Sequence, residues 1–134
     1  MAGDVFADTS GLYAALVEAD EAHARAGRAA ARLRAEGAVL VTTSYVIQET
    51  VSLLLARHGL PVLTVFHQRM YPGLDVVWVE RALHERAVSG LFAAARRQVS
   101  LTDWVSFEVM RERGITRAFA YDEDFAAQGF ELVS

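Results

Sequence analysis

Short apolar runs alternating with long stretches of helical periodicity are the feature that most constrains this chain. Val5 to Ala7, Val39 to Thr42, Val76 to Val79, Ala118 to Tyr121 and Leu132 to Val133 are each only a few residues long and rich in valine or aromatics, as buried strands are. The segments between them are long enough to cross a sheet and return, and strands joined by such crossovers pair in parallel. The pattern predicts an α/β protein with a mostly parallel sheet covered by helices on both faces. Ligands of such sheets bind beyond the carboxyl ends of the strands.

The intervening helices carry their own punctuation. Ala22, Ala26, Ala29 and Leu33 recur at helical spacing ahead of Gly37, a C-terminal glycine. Ser44 to His58 reads as a second helix with Ser44 as N-cap, ending at Gly59 before Pro61. A shorter helix is expected over Val62 to Tyr71. Another is expected over Arg81 to Arg97, with Leu83, Ala87, Leu91 and Ala94 on one face despite the helix-weakening Gly90. Ser100-Leu101-Thr102-Asp103 fits a capping box that opens the last long helix, closed by Gly114 after Arg111 and Arg113.

With 134 residues the chain suits a single domain, residues 1–134, and the hydrophobic fraction of 53% against 22% charged argues that it folds. The longest uncharged stretches, such as Gly37 to Gln48 and Val88 to Ala95, are too short to span a bilayer, so no membrane association is expected. Met1 to Val5 carries no basic segment leading into an apolar run, and there is no cysteine, which together predict a cytoplasmic protein without disulfides or thiolate metal sites.

All 13 basic residues are arginine, set against 17 acids for a net charge of -4. Without lysine there is no Schiff-base chemistry and no Walker-type phosphate lysine. Phosphohydrolases of the haloacid-dehalogenase pattern and phosphorylated receiver domains lose support for the same reason, and Ser10 stands where the former want a second aspartate. His23, His58, His67 and His84 show no metal-ligand spacing and read as surface or partly buried residues, and no nucleophile elbow supports a Ser/His/Asp triad.

The acids are more informative. Asp8 directly follows the first strand, where it either caps the next helix or points into the ligand crevice. Glu49 is the only charge between Tyr45 and Leu55, so it lies at an exposed edge or has a compensating partner such as a cation. Asp103 belongs to the capping box, a role compatible with metal binding. Asp122, chosen over Asp124 as the acid nearest the strand, follows Tyr121. The four are 41, 54 and 19 residues apart, yet three of them fall where a doubly wound sheet would bring them together, and Glu49 comes from a neighbouring helix. Carboxylates so gathered raise one another's pKa, and with no lysine to neutralise them a divalent cation is the natural partner, Mg²⁺ or Mn²⁺ for an all-oxygen set.

These residues resemble the PIN domain, and particularly the small VapC-like ribonucleases of bacterial and archaeal toxin–antitoxin pairs. The carriers are Val5-Phe6-Ala7-Asp8-Thr9-Ser10, the acid in Ser44-Tyr45-Val46-Ile47-Gln48-Glu49-Thr50, then Ser100-Leu101-Thr102-Asp103, and Tyr121-Asp122-Glu123-Asp124-Phe125 ahead of Gly129-Phe130. The resemblance spans nearly the whole chain. It implies a three-layer α/β/α fold and metal-dependent cleavage of RNA to 5′-phosphate and 3′-hydroxyl ends, with Asp8, Glu49, Asp103 and Asp122 as the catalytic and metal-binding quartet and Asp8 central. One or two Mg²⁺ or Mn²⁺ ions would serve it. It further implies an antitoxin partner whose segment would occupy the groove and supply an arginine to the acids. The small, apolar-rich domain points to a homodimer.

Removing the quartet leaves 13 acids against 13 arginines, so the acidic net charge does not argue against an RNA substrate. Arg96, Arg97, Arg111, Arg113 and Arg117 are candidates for phosphate contact, with solvated helix ends as the preferred role for most; Thr9, Ser10 and Thr102 flank the acids and would bond ligands or cap helices. Trp104 is bulky where the family commonly has a small residue, so it either narrows the site or packs in the core. Ala120 and Tyr121 replace the Thr or Ser that often precedes the last acid. The alternative function is a noncatalytic PIN-like module that binds RNA or a protein.

Overall fold

The computed structural model describes residues 3–134; Met1 and Ala2, which begin the stretch read for an export signal, lie outside the described residues. Five strands, β1 (Asp4–Ala7), β2 (Val39–Thr43), β3 (Asp75–Val77), β4 (Arg117–Phe119) and β5 (Glu131–Val133), form one sheet in the order β3-β2-β1-β4-β5, every neighbouring pair parallel. The chain builds outward from β1 through β2 to β3, then crosses to the other side of β1 for β4 and β5. The carboxyl ends of β1 and β4 are therefore the switch point at which such sheets bind ligands.

Alternation along β1 explains the layers. Val5 and Phe6 are both fully buried but point to opposite faces. Val5 packs with Ala26, Ala29 and Leu33 of α2 (His23–Glu36), whereas Phe6 packs with Phe107 of α6 (Leu101–Arg113) and stacks on Phe125 of α7 (Glu123–Ala127) at 6.2 Å. Apolar cores on both sides of the sheet give the three-layer α/β/α sandwich.

Several boundaries differ from the sequence reading, each for a local reason. The N-cap of α3 (Ser44–His58) is Thr43, whose hydroxyl accepts the Val46 N–H at 3.2 Å. Ser44 instead accepts the Val79 N–H at 2.9 Å, which takes that donor out of the ladder as β3 stops at Val77. β4 likewise stops at Phe119, because the Tyr121 N–H goes to the Ser10 hydroxyl at 2.9 Å. The helix expected over Val62 to Tyr71 starts earlier, as α4 (Leu60–Val65) with Pro61 in the first turn where no N–H is needed, then passes through a π turn (Phe66–Met70) and a 3₁₀ turn (Tyr71–Gly73) containing Pro72. α5 (Arg81–Ala94) ends three residues early, with Ala95 left-handed at φ 54°. The one-turn α7 carries too little periodicity to have been read from the sequence.

Two oddities of the sequence explain each other. A Cβ at Gly90 of α5 would lie 3.2 Å from the Trp104 ring, so the glycine makes room for the indole. Trp104 is 8% exposed and meets Phe107 edge-on at 5.4 Å. It packs in the core and does not narrow the site.

Candidate active site

Asp8 caps α1 (Thr9–Leu16) at the end of β1 and is 4% exposed. Its Oδ2 accepts the Ser10 N–H at 3.2 Å and the Ser10 hydroxyl at 2.7 Å. Because that hydroxyl also accepts from Tyr121, one serine ties the ends of β1 and β4 together and fixes the aspartate's orientation. The close approach depends on Gly11, where a Cβ would stand 2.2 Å from the Phe119 carbonyl oxygen. Glu49 reaches the same place from α3, whose register is held by a 3.2 Å hydrogen bond from the Thr50 hydroxyl to Thr9.

Asp103 occupies the first turn of α6, where its N–H donates to the N-cap Ser100 hydroxyl at 3.1 Å. Asp122 caps α7, accepting the Asp124 N–H at 2.9 Å. Capping and site-building coincide at Asp8 and Asp122. Asp8, Glu49, Asp103 and Asp122 all line one cavity of about 350 Å³ at the carboxyl ends of the central strands.

The electrostatics of that cavity follow from crowding. Burial raises the Asp8 carboxyl to about 6 against the two Ser10 hydrogen bonds, with Glu49 and Asp122 adding to the rise. Asp103 is pushed up to about 7, first by burial and then by the charges of Asp8, Asp122 and Glu49, while the Ser100 N–H opposes weakly. Asp124 is also raised, by burial and by Asp122 beside it. None of these acids is in an ion pair among the described residues. Carboxylate oxygens of Asp103, Asp122 and Asp124 lie within 4.8 Å of one another, a group that could hold a metal ion. Mutually repelling carboxylates that lack an ion-pair partner and offer only oxygen donors fit a hard divalent cation.

Sequence reasoning passed over several neighbours. Asp124 joins Asp103 and Asp122 in the metal-sized group, so the choice of Asp122 over Asp124 was not exclusive. Asp20 lines the cavity while accepting the Ala22 N–H at 2.8 Å. Tyr13 and Arg57 line it too, with the guanidinium 5.7 Å over the ring. The signal for Arg57 was available, since Glu49, Leu53 and Arg57 follow one helical face at steps of four.

Other candidates are occupied elsewhere. Arg111 donates to Gln128 Oε1 at 2.6 Å, Arg113 pairs with Asp75 at 3.5 Å and Arg117 with Glu36 at 3.1 Å, so these three have side-chain partners where solvated helix ends were expected, and Arg117 lies on β4. The histidines serve packing: His58 and His84 bond the hydroxyls of Tyr13 and Tyr45, His23 bonds the Ala14 carbonyl, and His67 stacks on Tyr71.

Comparison with known proteins shows the family. The PIN-domain family model matches residues 5–131, nearly the whole chain. The chain belongs to the PIN-domain family. It is 36% identical over 127 residues to the 23S rRNA-specific endonuclease VapC20 of Mycobacterium tuberculosis, covering 94% of this chain and 95% of that protein. The crystal structure of the same relative, a sarcin-ricin loop cleaving toxin, superposes with a TM-score of 0.82 at 35% identity over 94% of this chain and 95% of that one. FitAcB from Neisseria gonorrhoeae shares the fold at a TM-score of 0.70 and 11% identity, covering 97% and 96% of the two chains. This PIN domain is thus similar to a VapC toxin over 94% of its length. Among the described residues no helix is long and apolar enough to cross a membrane.

Proposed function

We propose that this PIN domain is a Mg²⁺- or Mn²⁺-dependent endoribonuclease and the toxin of a toxin–antitoxin pair, acting in the cytoplasm. The observation that carries the reading is the convergence of Asp8, Glu49, Asp103 and Asp122, from four separate elements, on one cavity at the sheet's switch point. The similarity to a 23S rRNA endonuclease supports RNA as the substrate and makes ribosomal RNA the first to test.

In this reading Asp8, Glu49, Asp103 and Asp122, with Asp124 adjoining, hold the cation. A divalent ion there supplies Lewis acidity and positive charge for hydrolysis of a phosphodiester, in which the P–O3′ bond breaks to leave 5′-phosphate and 3′-hydroxyl ends. Ser10 holds the Asp8 carboxylate in place, so its orientation does not have to be reorganised when ligands arrive. Asp103, whose carboxyl keeps its proton to about pH 7, must release it for the full negative charge of the site to develop. Burial of Asp8 and Asp103 under the ends of the strands keeps bulk water from screening these charges.

An antitoxin partner belongs to this proposal, supported by the resemblance to VapC toxins, as do a homodimer and a single-domain organisation over residues 1–134. Exposed apolar side chains such as Trp78 and Phe92 are available to protein contacts.

The test is cleavage of end-labelled single-stranded RNA and of 23S ribosomal RNA by the purified protein in Mn²⁺ or Mg²⁺. EDTA and Asp8→Asn are the paired controls. Cleavage lost in both supports the nuclease. Metal binding and RNA binding without cleavage on any of these substrates would favour the noncatalytic module instead.

A further inference from the structure

The nuclease reading leaves a physical problem: a cavity lined by carboxylates repels the polyanion it must cut. Arg57 stands in the wall of that cavity, and a cationic row on the surface leads to it. Arg25, Arg28 and Arg32 follow one another on α2 at spacings of three and four and are all exposed. At 100° per residue they fall within about 60° of the helix circumference, and at 1.5 Å per residue they span roughly 10 Å of its length.

We propose that this row, with Arg25 nearest the acids, is the track that binds the phosphates of the RNA strand entering the acidic cavity. The inference rests on the nuclease reading. The Arg25 guanidinium lies 5.1 Å over the ring of Tyr121, and Tyr121 lines the acidic cavity, so the row is continuous with the site. None of the three enters an ion pair with a carboxylate side chain among the described residues, which they share with Arg34, Arg57 and Arg69; what sets the row apart is its continuity with the acidic cavity. Arg32, at the far end of the row, donates to a main-chain oxygen of Ser134 at 3.5 Å and lines a cavity with Glu36 and Glu131. Arginines without acid partners are the form in which a surface offers charge to phosphates.

The surface beside the row is suited to a phosphate backbone. Ala24, Gly27 and Ala31 run alongside it, all exposed. A Cβ at Gly27 would meet nothing within 4 Å, so the fold itself has no use for a glycine there, in the middle of a helix it weakens. Side chains no larger than a methyl let a strand lie close to the helix. An acidic protein segment is the competing occupant, but the large exposed apolar side chains of the protein, such as Leu60, Trp78 and Phe92, are not on α2, and a protein segment needs such anchors.

The experiment compares two double variants with the same change in net charge. Arg28→Gln with Arg32→Gln removes two members of the row. Arg34→Gln with Arg69→Gln removes two arginines that line an apolar groove elsewhere, Arg34 being on the opposite side of α2. Binding of a fluorescent single-stranded RNA is measured in EDTA across a salt series, and cleavage in Mn²⁺. The row variant is expected to bind on the order of tenfold more weakly, with a salt slope shallower by about 1.4, whereas the control pair stays at the parent value. Equal weakening by both pairs would reduce the effect to net charge and overturn the track. A row variant that binds and cuts like the parent would overturn the track and leave the nuclease standing. A parent that neither binds nor cuts RNA would remove both. Loss of binding to polyglutamate with RNA binding intact would assign the row to an acidic protein and overturn the proposal.

Discussion

Replacing Asp103 with asparagine should make the metal-free protein more stable at pH 8. Asp103 is 8% exposed, and its carboxyl is raised from 3.8 to about 7 by burial and by Asp8, Asp122 and Glu49. An acid whose folded pKa lies above its unfolded value costs no stability below about pH 4, and its cost grows as pH rises to the folded value. A shift of about 3 units at about 1.4 kcal/mol each sets an upper bound of roughly 4 kcal/mol at pH 8. The shift already includes the opposing Ser100 N–H contact, so asparagine gives up in addition only the favourable charge at the start of α6, worth about 0.3–1 kcal/mol. The expected net gain is therefore at most about 3 kcal/mol. Urea unfolding in EDTA at pH 8 and at pH 4 checks it, with the gain present at pH 8 and gone at pH 4. A variant less stable than the parent at pH 8, or one with the same difference at both pH values, would show that the acids do not strain the fold as argued.

The same crowding governs the other expected outcomes. Asp8→Asn should abolish cleavage while leaving circular dichroism unchanged, because it removes charge and almost no volume. Divalent-ion affinity, followed by calorimetry, should rise with pH between about 5 and 8, since Asp8 and Asp103 must lose protons with pKa values of about 6 and about 7 before the ion is fully held. Ser10→Ala removes the hydroxyl that bridges Asp8 and Tyr121, so cleavage should fall at least tenfold with a smaller loss of stability, on the order of 1–2 kcal/mol, for the orphaned Tyr121 N–H. Gly11→Ala should destabilise by more than about 3 kcal/mol in thermal melts, because its Cβ would stand 2.2 Å from a backbone oxygen that cannot step aside.

Most of the architecture is legible in the sequence because burial leaves a periodic trace. Val5, Phe6 and Ala7 are apolar on both faces because both faces of β1 are covered. Gly37 and Gly114 stop their helices in left-handed conformations, as their positions in the sequence implied. The acids were legible for a related reason, since a carboxylate at the end of an apolar strand, or alone in an apolar helix as Glu49 is, needs an explanation from chemistry. Asp8, Glu49, Asp103 and Asp122 could thus be named from local context and family resemblance.

What local context does not hold is the partner of a side chain distant in the chain. Ser10 reads as a turn residue until Tyr121, 111 positions away, donates to it and turns it into the clamp on Asp8. Gly90 and Trp104 look like separate defects until the packing of α5 on α6 makes them complementary. The arginines divide in the same way: Arg111, Arg113 and Arg117 are taken up by Gln128, Asp75 and Glu36, whereas Arg25 and Arg28 find no carboxylate. Sequence determined most of the elements, their parallel pairing and the candidate acids, because burial and capping act over a few residues. Tertiary structure alone decided which further groups line the cavity with the acids, how far they raise one another's pKa and which charges stay free, because those depend on distances between residues the chain keeps far apart.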